Sequence, residues 1–197
     1  MLSKLPHVGT TIFTTMSKMA GDYNAINLSQ GIPNFPTNET LIDLIRKNAG
    51  ANIHQYAPMA GLPSLLEGIS NLIYTCYQRN LNPSGNILVT AGATQAIFTT
   101  IQALVHKDDE VIILDPSYDC YEAPVILAGA KAIRIPLNKS FLPDWNEIFQ
   151  RTNYKTRLII TNNPHNPSGT VWTENDIRLL EKLILQHPNL TVLSDEV

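Results

Sequence analysis

Leu158-Ile159-Ile160-Thr161-Asn162-Asn163-Pro164-His165-Asn166-Pro167-Ser168-Gly169 is the stretch on which the fold turns. It begins as a continuous apolar run, the pattern of a strand buried on both faces of a sheet. The residues after that run cannot be regular. Pro164 and Pro167 each fix a φ angle, and Gly169 supplies freedom where a side chain would clash. A loop this rigid holds the Asn166 amide in one place as a hydrogen-bond donor. His165 carries acid–base potential, but no partner stands at metal-ligand spacing, so it reads as structural.

The same rhythm extends outward in both directions. Strand-like runs at 87–90, 110–114, 131–135, 158–161 and 190–194 alternate with helical patterns at 93–105, 121–128, 144–150 and 173–186. Thr173 with Asp176 three residues on reads as a capped helix start. Five alternations over about a hundred residues predict an α/β fold, a three-layer α/β/α arrangement around a mostly parallel sheet. The N-terminal stretch differs. Residues 10–20 read as a short amphipathic helix through Ile12, Met16 and Met19, with Gly21 ending it. An irregular segment through Gly31, Pro33 and Pro36 comes next, then helical patterns at 39–49 and 64–79, with Pro63 suited to the first turn of the second. The expected organisation is an N-terminal arm and small-domain segment over 1–36 and the start of a larger domain over 37–197.

Composition excludes several classes. The 197 residues are 44% apolar and 16% charged with a formal net charge of −3, a globular balance with no basic cluster to neutralise a nucleic acid backbone. No run approaches the ~20 apolar residues of a membrane span, and no apolar leader opens the chain. Cys76 and Cys120 fit no zinc spacing and are too few for a disulfide framework, so they read as reduced thiols of a cytoplasmic protein, with no metal expected.

In parallel sheets ligands bind beyond the carboxyl ends of the strands, which directs attention to the residues just after each one. Gly92-Ala93-Thr94-Gln95-Ala96 opens a helix, where backbone N–H groups and the positive helix end suit an anion, although a plain strand–helix turn would look the same. It is neither a P-loop nor a dinucleotide fingerprint. Asp115-Pro116-Ser117-Tyr118-Asp119-Cys120-Tyr121 places Tyr118 either to stack on a planar ligand or simply to pack. Ser194-Asp195-Glu196-Val197 ends a buried strand with a carboxylate that must be paired, as a helix cap or against a ligand cation.

Taken together these segments, with Gly31-Ile32-Pro33-Asn34-Phe35 and Tyr56-Ala57-Pro58-Met59-Ala60-Gly61-Leu62-Pro63, resemble the fold-type I, class I/II aminotransferases that depend on pyridoxal 5'-phosphate. Within that group the chain is similar to the methionine and kynurenine/glutamine branch, and the resemblance runs over essentially its whole length. It implies that Asp195 pairs with the protonated ring nitrogen and that Asn166 hydrogen-bonds the ring O3′. Tyr118 is then expected to stack on the ring, and Gly92, Ala93 and Thr94 to take the phosphate. It further implies that Tyr56 reaches the phosphate of a neighbouring subunit in a homodimer, and that Gly31 and Ile32 lie near the substrate. The implied substrates are an amino acid and a 2-oxo acid. A lyase or synthase of the same fold, and a non-catalytic relative that binds cofactor or amino acid, share the same residues.

One element of the family's pattern is missing. Its cofactor-bearing lysine sits in a Ser-x-Ser/Thr-Lys context some tens of residues after Asp-Glu-Val, and no lysine between Lys4 and Lys182 lies in such a context. The expectation is an N-terminal half, inactive alone, completed by a second chain or by further sequence carrying the C-terminal half.

Overall fold

The computed structural model describes residues 2–197. The chain divides into two compact units, one formed by Ala91–Val197 with the leading residues as far as Gly9, the other by Thr10–Thr90.

The unit over Thr10–Thr90 is helical: α1 (Ile12–Asp22), α2 (Glu39–Ala49), α3 (Pro63–Tyr77) and the short α4 (Pro83–Asn86). Each start has a local cause. Thr11 accepts from the Thr14 N–H, Asn38 from the Thr40 N–H, and Pro63 stands in the first turn of α3, where a missing N–H costs nothing. Glu39 at the beginning of α2 and Arg46 and Lys47 at its end complement the helix dipole. Gly21, expected to stop α1, lies inside it. The helix continues to Asp22, and the left-handed residue that ends the turn is Asn24 at φ 48°.

Residues 87–90 correct the sequence reading more substantially. Their composition predicts the first strand of the sheet, yet they belong to no strand. Ile87 has extended angles, φ −126° and ψ 131°, so the local preference is met. A strand also needs a ladder, and here the Val89 N–H donates to the Ala60 carbonyl at 2.9 Å instead.

The other unit carries the sheet. Its elements are α5 (Ala93–Leu104), β1 (Glu110–Asp115), α6 (Glu122–Leu127), β2 (Lys131–Pro136), α7 (Trp145–Arg151), β3 (Thr156–Asn162), α8 (Glu174–Gln186) and β4 (Thr191–Asp195). The four strands run in the order β2-β1-β3-β4 and all pair in parallel. Alternate residues of the central strands feed two cores. Val111, Ile113, Leu158 and Ile160 pack with Ile97 and Ile101 of α5 and Val125 of α6. Ile112, Leu114 and Ile159 pack with Trp145 and Ile148 of α7 and Leu183 of α8. The sheet is therefore sandwiched between helical layers, the predicted α/β/α arrangement. Each fully buried Ile or Leu contributes about 1.5–3 kcal/mol through removal from water. The capping box at α8 is present as read, with Thr173 and Asp176 bonding reciprocally.

Parallel pairing puts the carboxyl ends of β1, β3 and β4 along one rim. The register sets Asn162 opposite Asp195 there.

Candidate active site

Four segments meet at this rim. The first is the start of α5, where Gly92 is the cap residue at φ 84°, a left-handed conformation that only glycine adopts without strain. Ala93 and Thr94 come next, in the first helical turn, whose N–H groups find no acceptor within the helix. The second segment is the loop after β1. Asp115 anchors it by a two-pronged ion pair with Arg134 of β2, at 2.6 and 2.8 Å, and by the Ser117 hydroxyl at 3.1 Å. Arg134 also holds Glu122 at 2.8 Å, so the loop is tied at both ends.

The third segment is the turn after β3. Its hydrogen bonds explain its residue types. His165 is buried, with Nδ1 2.7 Å from the Ser168 hydroxyl and Nε2 2.9 Å from the Pro116 carbonyl. It ties this turn to the β1 loop and is structural, as its sequence context predicts. Gly169, at φ 73°, donates to the His165 carbonyl at 2.7 Å. The Asn163 side chain accepts from the Trp172 N–H at 3.0 Å. Asn166 stands exposed at the lip, its own N–H donating to Asn162 Oδ1 at 2.6 Å.

The fourth segment is the end of β4. Asp195 is only 9% exposed. Its backbone carbonyl accepts from Asn162 Nδ2 at 3.2 Å and from the Asn163 N–H at 3.1 Å. Its carboxylate accepts from the Tyr121 hydroxyl at 2.5 Å and from the Val197 N–H at 3.2 Å. Asp195 is thus paired.

These segments enclose a cavity of about 340 Å³ lined by Ala93, Thr94, Tyr118, Asn162, Asn166, Asp195 and Val197. The structure therefore brings together five of the residues singled out from sequence, Ala93, Thr94, Tyr118, Asn166 and Asp195, with Gly92 capping the helix on which two of them sit. Tyr118 is half-buried and meets Tyr121 edge-on, ring centroids 6.1 Å apart. Tyr56, Gly31 and Ile32 are not among the lining residues. They belong to the unit over Thr10–Thr90 and are exposed, Tyr56 fully so.

Two site residues escape the sequence reading. The sequence pattern makes Tyr121 part of a helix and nothing more, but it is 2% exposed and holds Asp195. Burial, and then the bond to the Asp195 carboxylate, push its hydroxyl far above the usual phenol range, so it is a donor at any physiological pH. Asn162 reads from sequence as the plain first residue of a turn. It lines the cavity and braces both Asn166 and Asp195. The Cys120 thiol is pushed up to about 11, by burial first and then by Asp119 and Asp195, which makes it inert at neutral pH.

The arrangement suits a planar anion with a cationic edge. A helix N-terminus with the Thr94 hydroxyl offers an anion seat, the Tyr118 ring an aromatic wall, the Asn166 amide a donor, and Asp195 a buried negative charge. The volume falls in the range of about 300–1,000 Å³ usual for small-molecule sites. The residues present fit a flat phosphorylated pyridinium. None of the lining residues is a lysine.

Comparisons with known proteins converge. The family profile for aminotransferase class I and II matches residues 23–197. The methionine aminotransferase of Escherichia coli is 43% identical over 99% of this chain and 50% of its own length. The bovine kynurenine–oxoglutarate transaminase 3 is 34% identical over 98% of this chain and 45% of its own. Among solved structures, an Escherichia coli protein identified as having a methionine aminotransferase function superposes with a TM-score of 0.95 at 43% identity. All of this chain and 52% of that one are covered. The N-succinyldiaminopimelate aminotransferase of Mycobacterium tuberculosis superposes at 0.93 with 30% identity, again over all of this chain and 52% of the other. The chain spans about half the length of the relatives it matches.

Proposed function

The chain belongs to the class I and II aminotransferases, and from that membership we infer that the protein carrying it moves an amino group from an amino acid to a 2-oxo acid, using pyridoxal 5'-phosphate. The observation that carries the inference is the cavity at the strand ends into which Ala93, Thr94, Tyr118, Asn166 and Asp195 converge. When bound, the cofactor supplies an electron sink for the substrate carbon that loses its proton.

The chain's own residues do the rest. Asp195 holds a proton on the ring nitrogen, because a buried carboxylate favours a cation beside it. Asn166 donates to the ring oxygen, and Tyr118 covers one ring face. The start of α5, with Gly92, Ala93 and Thr94, receives the phosphate. In this reading Tyr56 serves the phosphate of the neighbouring subunit of a homodimer, Gly31 and Ile32 border the substrate, and residues 1–36 are the arm and small-domain segment. A lysine that would anchor the cofactor covalently is not among the residues lining the cavity. The two free thiols suit a reducing, cytoplasmic setting, and among the described residues no helix is long and apolar enough to cross a membrane.

The donor is proposed to be methionine, glutamine or an aromatic amino acid, in line with the methionine and kynurenine transaminases that match the chain. The test loads the protein with pyridoxal 5'-phosphate, offers each donor with a 2-oxo acid acceptor, and measures the new 2-oxo acid. Cofactor-dependent product is expected, falling at least about a hundredfold with Asp195→Asn, the usual cost of losing a preorganised charge. Product formation that is indifferent to the cofactor or to Asp195→Asn would remove this reading.

A further inference from the structure

The contact between Tyr121 and Asp195 joins residues 74 apart in sequence, at the start of α6 and the end of β4. It is the shortest hydrogen bond to either carboxylate oxygen of Asp195, and it is asymmetric. Oδ2 takes the phenol at 2.5 Å, while Oδ1 takes only the longer Val197 N–H contact at 3.2 Å. Tyr121 is itself immobilised. It is 2% exposed, sits in the core with Val125, Ile97 and Ile160, and meets the Tyr118 ring edge-on at 82°. An immobile donor on one oxygen fixes the plane of a carboxylate and leaves the remaining acceptor capacity to whatever enters the cavity.

We propose that Tyr121 is a positioning residue for the cofactor site: its buried hydroxyl locks the Asp195 carboxylate in the one orientation that meets a protonated ring nitrogen. The proposal rests on the reading of Asp195 given above and adds to it the group that aims the charge. Tyr121 is not among the residues lining the cavity, so it would act through Asp195, which is. Its hydroxyl stays protonated, so it donates without competing for the ring proton. Its removal leaves a buried carboxylate with a rotational freedom and an unmet acceptor that the intact site does not have.

The experiment separates aim from mere stability. Two ligands are titrated into the protein that carries these residues: pyridoxal 5'-phosphate, and its analogue with C–H in place of the ring nitrogen. Binding is read by fluorescence quenching, without turnover. A residue that only stabilises the fold affects both ligands alike, whereas one that aims Asp195 affects their ratio. The intact protein is expected to prefer the nitrogen ring. Tyr121→Phe should cut that preference by about tenfold, the worth of one charge-assisted hydrogen bond, and Asp195→Asn should abolish it. Incorporation of 3-fluorotyrosine at position 121, which keeps the hydroxyl and nearly the same shape, should retain the preference even if Tyr121→Phe folds poorly. A preference that survives Tyr121→Phe intact but is lost with Asp195→Asn overturns the positioning role alone. A preference absent from the intact protein, or unchanged by Asp195→Asn, overturns both this role and the assignment of Asp195. Equal loss by the fluorinated and phenylalanine variants also counts against the proposal, because the hydroxyl would then not be the active feature.

Discussion

The Asn162 side chain donates from Nδ2 to the Asp195 backbone carbonyl at 3.2 Å, and its Oδ1 accepts from the Asn166 N–H at 2.6 Å. One amide therefore braces two segments that share no covalent proximity, the turn after β3 and the end of β4. Asn162→Ala deletes both bonds and leaves the Asn166 N–H without this acceptor, at a cost of about 2 kcal/mol. Asn162→Asp keeps an acceptor for Asn166 but loses the donor and sets a second carboxylate beside Asp195. Both variants should lower the urea midpoint with little change in slope, and Asn162→Asp should bind pyridoxal 5'-phosphate more weakly than Asn162→Ala at neutral pH. Equal stability of Asn162→Ala and the parent would show that the brace carries no weight.

Asp176 gives a pH signature away from the cavity. Burial pushes its carboxyl up, but the Thr173 hydroxyl, the Trp145 indole N–H at 2.8 Å and two backbone N–H groups outweigh burial and hold it below the usual carboxylate range. A depressed folded pKa means that the unfolded chain binds the proton more readily. The stabilisation is then complete above the unfolded value of about 3.9 and fades as pH falls through the lower folded value. Asp176→Asn should flatten the acid limb of the stability–pH curve below about pH 4. It should also lower stability at pH 7, since it loses an acceptor for the α8 cap. Trp145→Phe should do part of the same by removing one donor. Chemical denaturation between pH 2.5 and 7 reads both effects, and a slope unaltered in Asp176→Asn would contradict this account.

The particular residues that sequence makes legible share a property: their cause is local. The helical pattern read over 39–49 matches α2 at the bounds it adopts. Thr173 and Asp176 mark the start of α8 three residues apart. The Pro164–Gly169 turn is written in its own prolines and glycine. The features that escape are determined at a distance. Residues 87–90 have the composition of a strand, but strand identity depends on a partner, which no local pattern encodes. Tyr121 looks like any residue of an amphipathic helix, because the group that makes it special lies 74 positions away. Asn162 bonds 33 positions away. Gly21 shows the converse failure. A glycine stops a helix when it adopts a left-handed conformation, and here Asn24 does so instead.

Gly61 tests a motif whose reason is steric. It stands at φ 119°, and a Cβ there would meet Val89 Cγ2 at 2.8 Å, Val89 Cβ at 3.1 Å and Leu66 Cδ2 at 3.2 Å. Gly61→Ala therefore incurs both backbone strain and a clash, together about 2–4 kcal/mol. Val89→Ala in the same chain removes the nearer clash but not the strain. The double variant should recover part of the loss caused by Gly61→Ala, so that the two changes are less than additive. Thermal melts of the four proteins complete the cycle, and strict additivity would mean that Val89 is not the obstacle.

Cys120 and Cys76 should part company under alkylation. Cys76 is exposed, whereas Cys120 is partly buried, with its thiol pushed up to about 11 by burial first and by the Asp119 and Asp195 charges after it. Only the thiolate reacts, and at pH 8 a thiol of that pKa is ionised to roughly one part in a thousand. Iodoacetamide at pH 8 should label Cys76 and leave Cys120 almost untouched, with Cys120 labelling rising about tenfold per pH unit up to about 11. Asp195→Asn removes one of the charges that oppose the thiolate, so it should speed Cys120 labelling at a given pH while leaving Cys76 unaffected. Peptide mapping by mass spectrometry reads both sites at once. Rapid labelling of Cys120 in the intact protein, or a rate indifferent to Asp195→Asn, would mean that the Asp195 charge does not reach the thiol.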